Sequence, residues 1–321
     1  MLSEFDLIAR YFKRPLPAGS RVALGIGDDC ALLAPSPGMQ LAISCDMLVE
    51  GRHFFPDVDV ASLGHKSLAV NLSDLAAMGA QPLAFTLALS LPSANEAWLA
   101  AFSTGLFALA DQFSCPLIGG DTTRGPLNIC ITVMGEVPLA QALRRSAARV
   151  GDDIWLSGSV GDARLALAAR LNELELDAQS MQQADTRLLR PSPRVLLGTA
   201  LRGIAHAAID VSDGLCGDLG HILEQANVGA TINVDALPVG TALQGQSLER
   251  RRRYTLAGGD DYELCFTAPV AARSKVLAAS GASATPVTRI GVIDAAPGLR
   301  LQDAHAELLQ LVLHSFDHFS S

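Results

Sequence analysis

The sequence predicts a mixed α/β (α+β) protein built as two domains. Three observations carry this reading. The chain has 321 residues, enough for two domains at roughly 150 residues each. Its first half alternates strand-like runs with two long helical patterns. After a basic segment at Arg144–Arg149 the strand pattern restarts. The boundary therefore falls near residues 138–150, dividing the chain into domains 1–138 and 139–321. A hydrophobic fraction of 49% against 18% charged residues suits a globular chain that buries a core, not a disordered one.

In the first half, strands are expected at Arg21–Gly25, Gln40–Cys45, Ala84–Leu91, Pro116–Ile118 and Asn128–Val137. A helix is expected over Val60–Met78, with Gly79 as its stop signal. A second is expected over Asn95–Gln112, where Trp98, Phe102 and Leu106 recur at helical spacing. In the second half a strand at Asp153–Ser157 leads through Gly161 into a helix. A loop at Arg190-Pro-Ser-Pro and a helix running to Ala207 follow. The segment DVSDGLCGDLG then opens a helix to Ala226, and strands are expected at Ala230–Val234, Tyr262–Thr267 and Val287–Ile293. No repeat of 20–50 residues and no low-complexity tract is expected.

Charge and composition exclude several classes. With 33 acidic and 24 basic residues the formal net charge is −9, and only Lys13, Lys66 and Lys275 are lysines. That balance argues against a nucleic-acid binder or a basic membrane-surface protein. Mean hydropathy is positive. Yet the longest mostly apolar stretch, Ala97–Ala110, is bounded by Glu96 and Asp111 and falls short of the ~20 residues a spanning helix needs. MLSEFDLIARYF has an early acid and no uninterrupted apolar centre, so it does not read as a signal peptide. The six cysteines, Cys30, Cys45, Cys115, Cys130, Cys216 and Cys265, form no CxxC pair. They are expected to be small, reduced core residues of a cytoplasmic protein.

The positions of the aspartates carry the functional signal. They recur in Gly-rich turns beside apolar runs: Gly25-Ile-Gly-Asp-Asp29 after a strand, Ser44-Cys-Asp46 at a strand end, Gly119-Gly-Asp-Thr-Thr-Arg-Gly125, Asp210-Val-Ser-Asp-Gly214 and Gly258-Gly-Asp-Asp261 before a strand. Asp74 lies within the apolar helix Leu68–Met78. Any one of these is ordinary turn or surface chemistry. Six carboxylate motifs converging on one cleft would repel without cations, and Mg²⁺ on a polyphosphate is the natural counterpart. The glycines let backbone N–H groups approach phosphate. No GxxxxGK[ST] is present, so a P-loop is excluded, and no HRD/DFG set is present either. Phosphate charge then falls to metals and arginines, with Arg124 and Arg145 the best placed. His53, in a loop-like stretch after Asp46, is a weaker clue, and a lone histidine there reads as structural. No dense His cluster points to zinc.

Taken together, GIGDDCALL, ISCDMLVEGRHF, NLSDLAAMGA, LIGGDTTRGP, DVSDGL and GGDDYELCF resemble the thiamine-monophosphate kinases. They occur in that family's order, and the resemblance extends from EFDLIARYF to the C-terminal FDHF. NLSDLAAMGA and the DxSDG type also resemble the wider superfamily of aminoimidazole-ribonucleotide synthetase and selenophosphate synthetase. The resemblance implies a two-domain aminoimidazole-ribonucleotide synthetase-like fold whose N-terminal domains form a β-barrel across a homodimer. It further implies transfer of the γ-phosphate of ATP to thiamine monophosphate, giving thiamine diphosphate, the last step of that cofactor's biosynthesis. By the same resemblance Asp28, Asp29, Ser44, Cys45, Asp46, Asp74, Asp121, Asp210 and Asp213 match Mg²⁺-binding positions. Gly120, Asp121, Arg145 and Ser212 match ATP contacts. His53, Asp260 and Phe316 match contacts to the thiamine phosphate.

Three departures from the family pattern stand out. Cys45 replaces a threonine, so only its backbone carbonyl suits a hard cation. Asp260 replaces a glutamate and shortens the reach toward substrate by one methylene. Arg145-Ser-Ala-Ala-Arg-Val-Gly-Asp152 replaces RSGAKPGD. The expected chemistry is direct in-line transfer without a general base, because the attacking phosphate oxygen is already ionised. The alternatives are another ATP-dependent synthetase of the superfamily, a catalytically silent binder of the same ligands, and a Mg²⁺ phosphatase.

Overall fold

The computed structural model describes residues 4–311 and 313, with Glu4 and Phe5 described by backbone alone. The chain divides into two compact units, 1–75 with 80–140, and 76–79 with 141–321.

The first unit opens with a short helix, α1 (Glu4–Leu7), continued by a π-type turn over Ile8–Phe12. A two-stranded antiparallel ribbon follows, β1 (Val22–Leu24) with β2 (Leu32–Leu33). The main sheet comprises β3 (Met39–Val49), β4 (Gln81–Leu91), β5 (Leu117–Arg124) and β6 (Asn128–Pro138), in the order β3-β6-β4-β5. Only the β4–β5 pair is parallel. Two helices join the strands, α2 (Val60–Ala77) and α3 (Glu96–Gln112), the latter capped by Asn95 accepting the Trp98 N–H.

The two helices cross at paired glycines. A Cβ on Gly105 would lie 1.8 Å from the Ala61 carbonyl oxygen, and one on Gly64 would lie 2.1 Å from that of Phe102. Only glycine permits such an approach. Phe85, Leu87, Leu89, Ile129, Ile131 and Val133 fill the space beneath the helices and are almost wholly buried.

Two expected strands are longer than their sequence patterns suggest. β3 continues to Val49, so Asp46 lies within a strand and not at its end. β5 begins at Leu117 and runs through Gly119–Arg124, so Asp121 sits in the sheet and not in a turn. Thr122 and Thr123 are natural strand residues, and pairing with β4 outweighs the turn preference of Gly119-Gly-Asp.

The second unit is built on a six-stranded sheet. Its strands are β7 (Asp153–Ser157), β8 (Ala207–Asp210), β9 (Gly229–Asn233), β10 (Leu264–Ala268), β11 (Val287–Asp294) and β12 (Gly298–Gln302). Their order is β12-β9-β11-β7-β10-β8, antiparallel except for β12 with β9. Between them lie α4 (Asp162–Arg170), α5 (Ala178–Leu189), α6 (Val195–Ala200), α7 (Leu215–Ala226), α8 (Leu248–Ala257) and α9 (Arg273–Ala282).

One core joins α7 to the sheet through Leu215, Leu219, Ile222, Ile209 and Ile232. A second, around Leu165, Ala184, Leu188, Leu243 and Tyr254, ties α4, α5 and α8 together. The helix expected to reach Ala207 stops at Ala200. Ala207 instead opens β8, whose four residues are all buried and pair with β10. The cysteines also differ from expectation. All six are free, but Cys30 and Cys45 are exposed and only Cys115 and Cys265 are buried.

Candidate active site

In the first unit, β3 and α2 place a set of oxygen donors together. Strand alternation turns Ser44 and Asp46 toward α2 and leaves Cys45 on the opposite face. The Ser44 hydroxyl donates a short hydrogen bond to the Asp74 carboxylate. The Asp46 N–H donates to Asn71 Oδ1 at 3.2 Å, and Asn71 Nδ2 donates to the Ser67 carbonyl at 3.1 Å. Ser67, Asn71 and Asp74 recur at helical spacing, so one face of an otherwise apolar helix is polar toward β3. Asn71 is 1% exposed. The pattern Asn71-Leu-Ser-Asp74 is visible in the sequence, where only the carboxylate of Asp74 stands out as a metal donor.

The thiol of Cys45 points away from these donors and lies 3.5 Å from Cys130 Sγ. It offers nothing to a hard cation there, so a contribution from Cys45 is confined to its carbonyl oxygen.

Immediately beyond β3, Glu50–Phe54 folds into a tight loop with Gly51 at φ +75°. The Val49 N–H donates to His53 Nδ1 at 3.0 Å. Nδ1 is thus an acceptor, and Nε2 carries the ring proton. Asp28 and Asp29 lie exposed in the connection between β1 and β2, where the Asp29 N–H bonds Asp28 Oδ1 at 2.9 Å. Lys13, from the segment that precedes β1, approaches the same connection. Its Nζ lies 3.1 Å from where a Cβ on Gly27 would sit.

Asp121 is not brought beside Asp46 within this unit. Register links Asp46 through Ile131 and Leu87 to Gly120, whereas Asp121 shares the opposite face with Ala88, Cys130 and Met47. Three strand spacings, about 14 Å, separate β3 from β5. Gly120 has φ +142°, and a Cβ there would lie 1.9 Å from the Leu87 carbonyl oxygen, so the residue is fixed as glycine.

In the second unit the DVSDG and GGDDYEL segments lie side by side. Val211 N–H donates to the Glu263 carbonyl, Tyr262 N–H to the Val211 carbonyl and Asp260 N–H to the Ser212 carbonyl, each at 2.8 Å. Asp210 ends β8 and is 4% exposed, while Ser212 is half-buried and Asp213 exposed. Asp210, Ser212, Asp213 and Asp260 are therefore gathered as the sequence suggests. Arg145 lies exposed on a single 3₁₀ turn, Arg145–Ala147, packed against α7 and β8. Phe316 lies outside the described residues.

Four acids behind these loops escaped the sequence reading. Asp218 accepts the N–H groups of Ser212 (3.1 Å) and Asp213 (3.2 Å) and so fixes the DVSDG turn. Asp261 accepts the Gly161 N–H at 2.9 Å, and Asp162 accepts that of Leu243 at 2.8 Å. Glu263 is wholly buried. It takes the Ser157 hydroxyl at 2.6 Å, Arg187 at 2.8 Å and both forks of Arg194. Burial pushes the Asp261 carboxyl well above the usual carboxylate range and raises that of Asp162. Asp218 is pushed up to about 7, first by burial and then by the neighbouring charge of Asp213.

The raised Asp218 value gives a pH prediction. Its folded-state pKa lies above the unfolded value, so the folded protein binds more protons between about pH 4 and pH 7. Stability contributed by this group is present below about pH 4 and is lost as pH rises toward about 7, by on the order of 4 kcal/mol. Asp218→Asn keeps an acceptor for the two amides but cannot ionise. Urea unfolding in EDTA should show a flatter stability profile across that window in the variant. An unchanged slope would remove Asp218 as its source.

Among the described residues no three His, Cys, Asp or Glu side chains form a ready-made metal cage. Each unit by itself presents acidic residues beside strands and glycine-containing turns. The matching family models define the class. "AIR synthase related protein, N-terminal domain" covers residues 27–137, and "AIR synthase related protein, C-terminal domain" covers residues 149–304. The chain thus has the two-domain AIR synthase-like fold.

Thiamine-monophosphate kinase of Escherichia coli O157:H7 is 48% identical over 320 residues, 99% of this chain and 98% of that protein. The chain belongs to the thiamine-monophosphate kinase family. The crystal structure of thiamine-monophosphate kinase from Stenotrophomonas maltophilia K279a superposes with a TM-score of 0.84 at 49% identity, covering 88% of this chain and 92% of that one. A structure of AaThiL complexed with AMPPCP and TMP matches at 26% identity and a TM-score of 0.77, covering 89% of each chain.

Proposed function

We propose that this protein transfers the γ-phosphoryl group of ATP to thiamine monophosphate, releasing ADP and thiamine diphosphate. The observation that carries the reading is the side-by-side binding of the DVSDG and GGDDYEL segments, in a chain related to thiamine-monophosphate kinases over nearly its full length. The complex of AaThiL with AMPPCP and TMP supports the same pair of substrates. An oxygen of the acceptor phosphate attacks the γ-phosphorus as the bond to the ADP oxygen breaks. The attacking oxygen is ionised near neutral pH, so the protein contributes orientation and charge neutralisation.

The donor set fits Mg²⁺, which takes one or two carboxylates and completes its shell with water and phosphate oxygens. Asp46, Asp74 and Ser44 in the first unit would hold it, as would Asp210 and Asp213 in the second. Asp28, Asp29 and Asp121, with the Cys45 carbonyl, complete the proposed set. When bound, Mg²⁺ offsets the repulsion between two anionic phosphates. Gly120 and Ser212 present backbone and hydroxyl groups to ATP, and Arg145 supplies a planar cation for its phosphates. His53 Nε2–H and the Asp260 carboxylate serve the thiamine phosphate.

The protein acts as a homodimer in this reading. Leu41, Ile43 and Met47 leave one face of β3 and are 45%, 63% and 52% exposed. Such an apolar stripe on an edge strand favours cover by a second copy. Pairing the β3 edge of one copy with the β5 edge of the other closes a barrel. Among the described residues no helix is long and apolar enough to cross a membrane. The six free thiols support a reducing, cytoplasmic location.

Incubation with ATP and Mg²⁺, with and without thiamine monophosphate, tests the function. ADP should form only when the acceptor is present and should match thiamine diphosphate one for one. Equal ADP release without acceptor would mean hydrolysis, and no ADP at all would mean a silent binder. A solution mass of a single chain would remove the dimer.

A further inference from the structure

The segment Asp260–Glu263 is two-sided. Asp261 and Glu263 are 1% and 0% exposed and anchored inward, to Gly161 N–H and to the Arg187–Arg194 pair respectively. Asp260 and Tyr262 remain partly accessible on the other side. The Tyr262 hydroxyl donates to Asp260 Oδ1 at 3.3 Å, so ring and carboxylate share that side.

The backbone is forced to achieve this. Asp260 has φ +65° and Tyr262 has φ +50°. The left-handed region is costly for any side chain beyond glycine, and for a bulky aromatic residue it is an outlier. The Tyr262 N–H bond to Val211, with buried carboxylates on both neighbours, holds it there. Strain of this kind persists only where the surroundings over-determine it, and it collects at functional sites. What the strain achieves here is specific. It leaves a large ring partly accessible and sets it beside a carboxylate.

We propose that Tyr262 is a substrate-contacting residue whose ring, with the Asp260 carboxylate, receives the cationic heteroaromatic part of thiamine monophosphate. The inference rests on the kinase function proposed above and deepens it. A π-face and an adjacent carboxylate both attract a cationic ring and do nothing for the triphosphate of ATP. The contact therefore discriminates between the two substrates. Asp261 and Glu263 are its positioning residues, acting through the backbone they anchor.

Steady-state kinetics on the intact protein test this with Tyr262→Leu and Tyr262→Phe, supported by calorimetric binding of thiamine monophosphate. Tyr262→Leu keeps apolar bulk without a π-face and should raise KM and Kd for thiamine monophosphate about tenfold. KM for ATP should stay within about twofold and Tm near wild type. Tyr262→Phe keeps the ring and should retain most of the affinity. Should Tyr262→Leu fold poorly, Tyr262→Gly suits the positive φ and should show the same selective rise. Unchanged affinity for thiamine monophosphate in an active enzyme overturns the contact alone, as does an equal rise for both substrates. A wild-type protein that makes no thiamine diphosphate overturns the kinase reading and this inference together.

Discussion

Asp46→Asn should lower kcat for thiamine diphosphate formation by about 10³-fold, some 4 kcal/mol of transition-state stabilisation. The substitution is close to isosteric. The Asp46 N–H bond to Asn71 and the pairing of β3 with β6 involve the main chain and survive it. The circular dichroism spectrum and Tm should therefore remain near those of the wild type. What changes is the charge opposite two anionic substrates, which no positioning by glycines or arginines replaces. Asp74→Asn should behave alike, its amide oxygen still able to accept from the Ser44 hydroxyl. Asp57→Asn, an exposed position outside the motifs, is the control and should leave kcat unchanged. Turnover should be measured across a Mg²⁺ titration. Near-wild-type kcat of Asp46→Asn at saturating Mg²⁺ would remove this residue from the metal set.

The largest effect on stability is expected at a residue with no direct role. Glu263→Gln should destabilise the protein by about 3–5 kcal/mol. Among the described residues Glu263 is the carboxylate that pairs with Arg194, and it also holds Arg187, whose side chain is likewise only 19% exposed. Removing its charge leaves two largely buried guanidinium groups uncompensated, and that desolvation cost is what the variant exposes. In a domain of this size the loss corresponds to a fall in Tm of about 10 °C. The exposed pair Arg10–Glu96, at 58% and 53% side-chain exposure, is the comparison. Glu96→Gln should change stability by less than about 1 kcal/mol. Differential scanning calorimetry on the three proteins decides the matter. A Glu263→Gln Tm equal to that of Glu96→Gln would show that the arginines find adequate hydration without their partner.

Much of the architecture is legible from apolar periodicity. α2 and α3 carry long runs whose spacing announces helices, and β4 and β6 are continuous apolar stretches. Elements without that signal were missed. α5 reads Ala-Gln-Ser-Met-Gln-Gln-Ala-Asp-Thr-Arg-Leu-Leu, and α8 is half arginine and glutamate. In both, few apolar positions mark the buried side. Asp46 and Asp121 were misjudged for a related reason. Short polar and glycine-rich stretches favour turns locally, but ladder pairing extends the strands through them.

The gathering of Asp210, Ser212, Asp213 and Asp260 was legible because both segments that carry them contain glycine and lie at the margin of an apolar run. Asp218, Asp261 and Glu263 were not. A carboxylate in sequence does not declare which side of the chain it takes, and Asp260 and Asp261 are neighbours that take opposite sides. The partners that make Glu263 tolerable inside, Arg187 and Arg194, lie 76 and 69 positions away. Asp121 illustrates the limit of motif reasoning in another way. Its motif is as clear as that of Asp46, yet register sets the two on opposite faces of one sheet.

The alternation along β3 makes the strand intolerant of any change in residue count. Ser44 and Asp46 meet α2, while Ile43, Cys45 and Met47 leave from the other face. One residue inserted or deleted between Leu41 and Ser44 would exchange the two sets at a stroke. Carboxylates would then face outward and isoleucine would face the helix. A two-residue change would restore the faces and displace only the alignment with Asp74. Length variation in this stretch should therefore come in pairs or not at all, much as a reading frame permits only certain insertions.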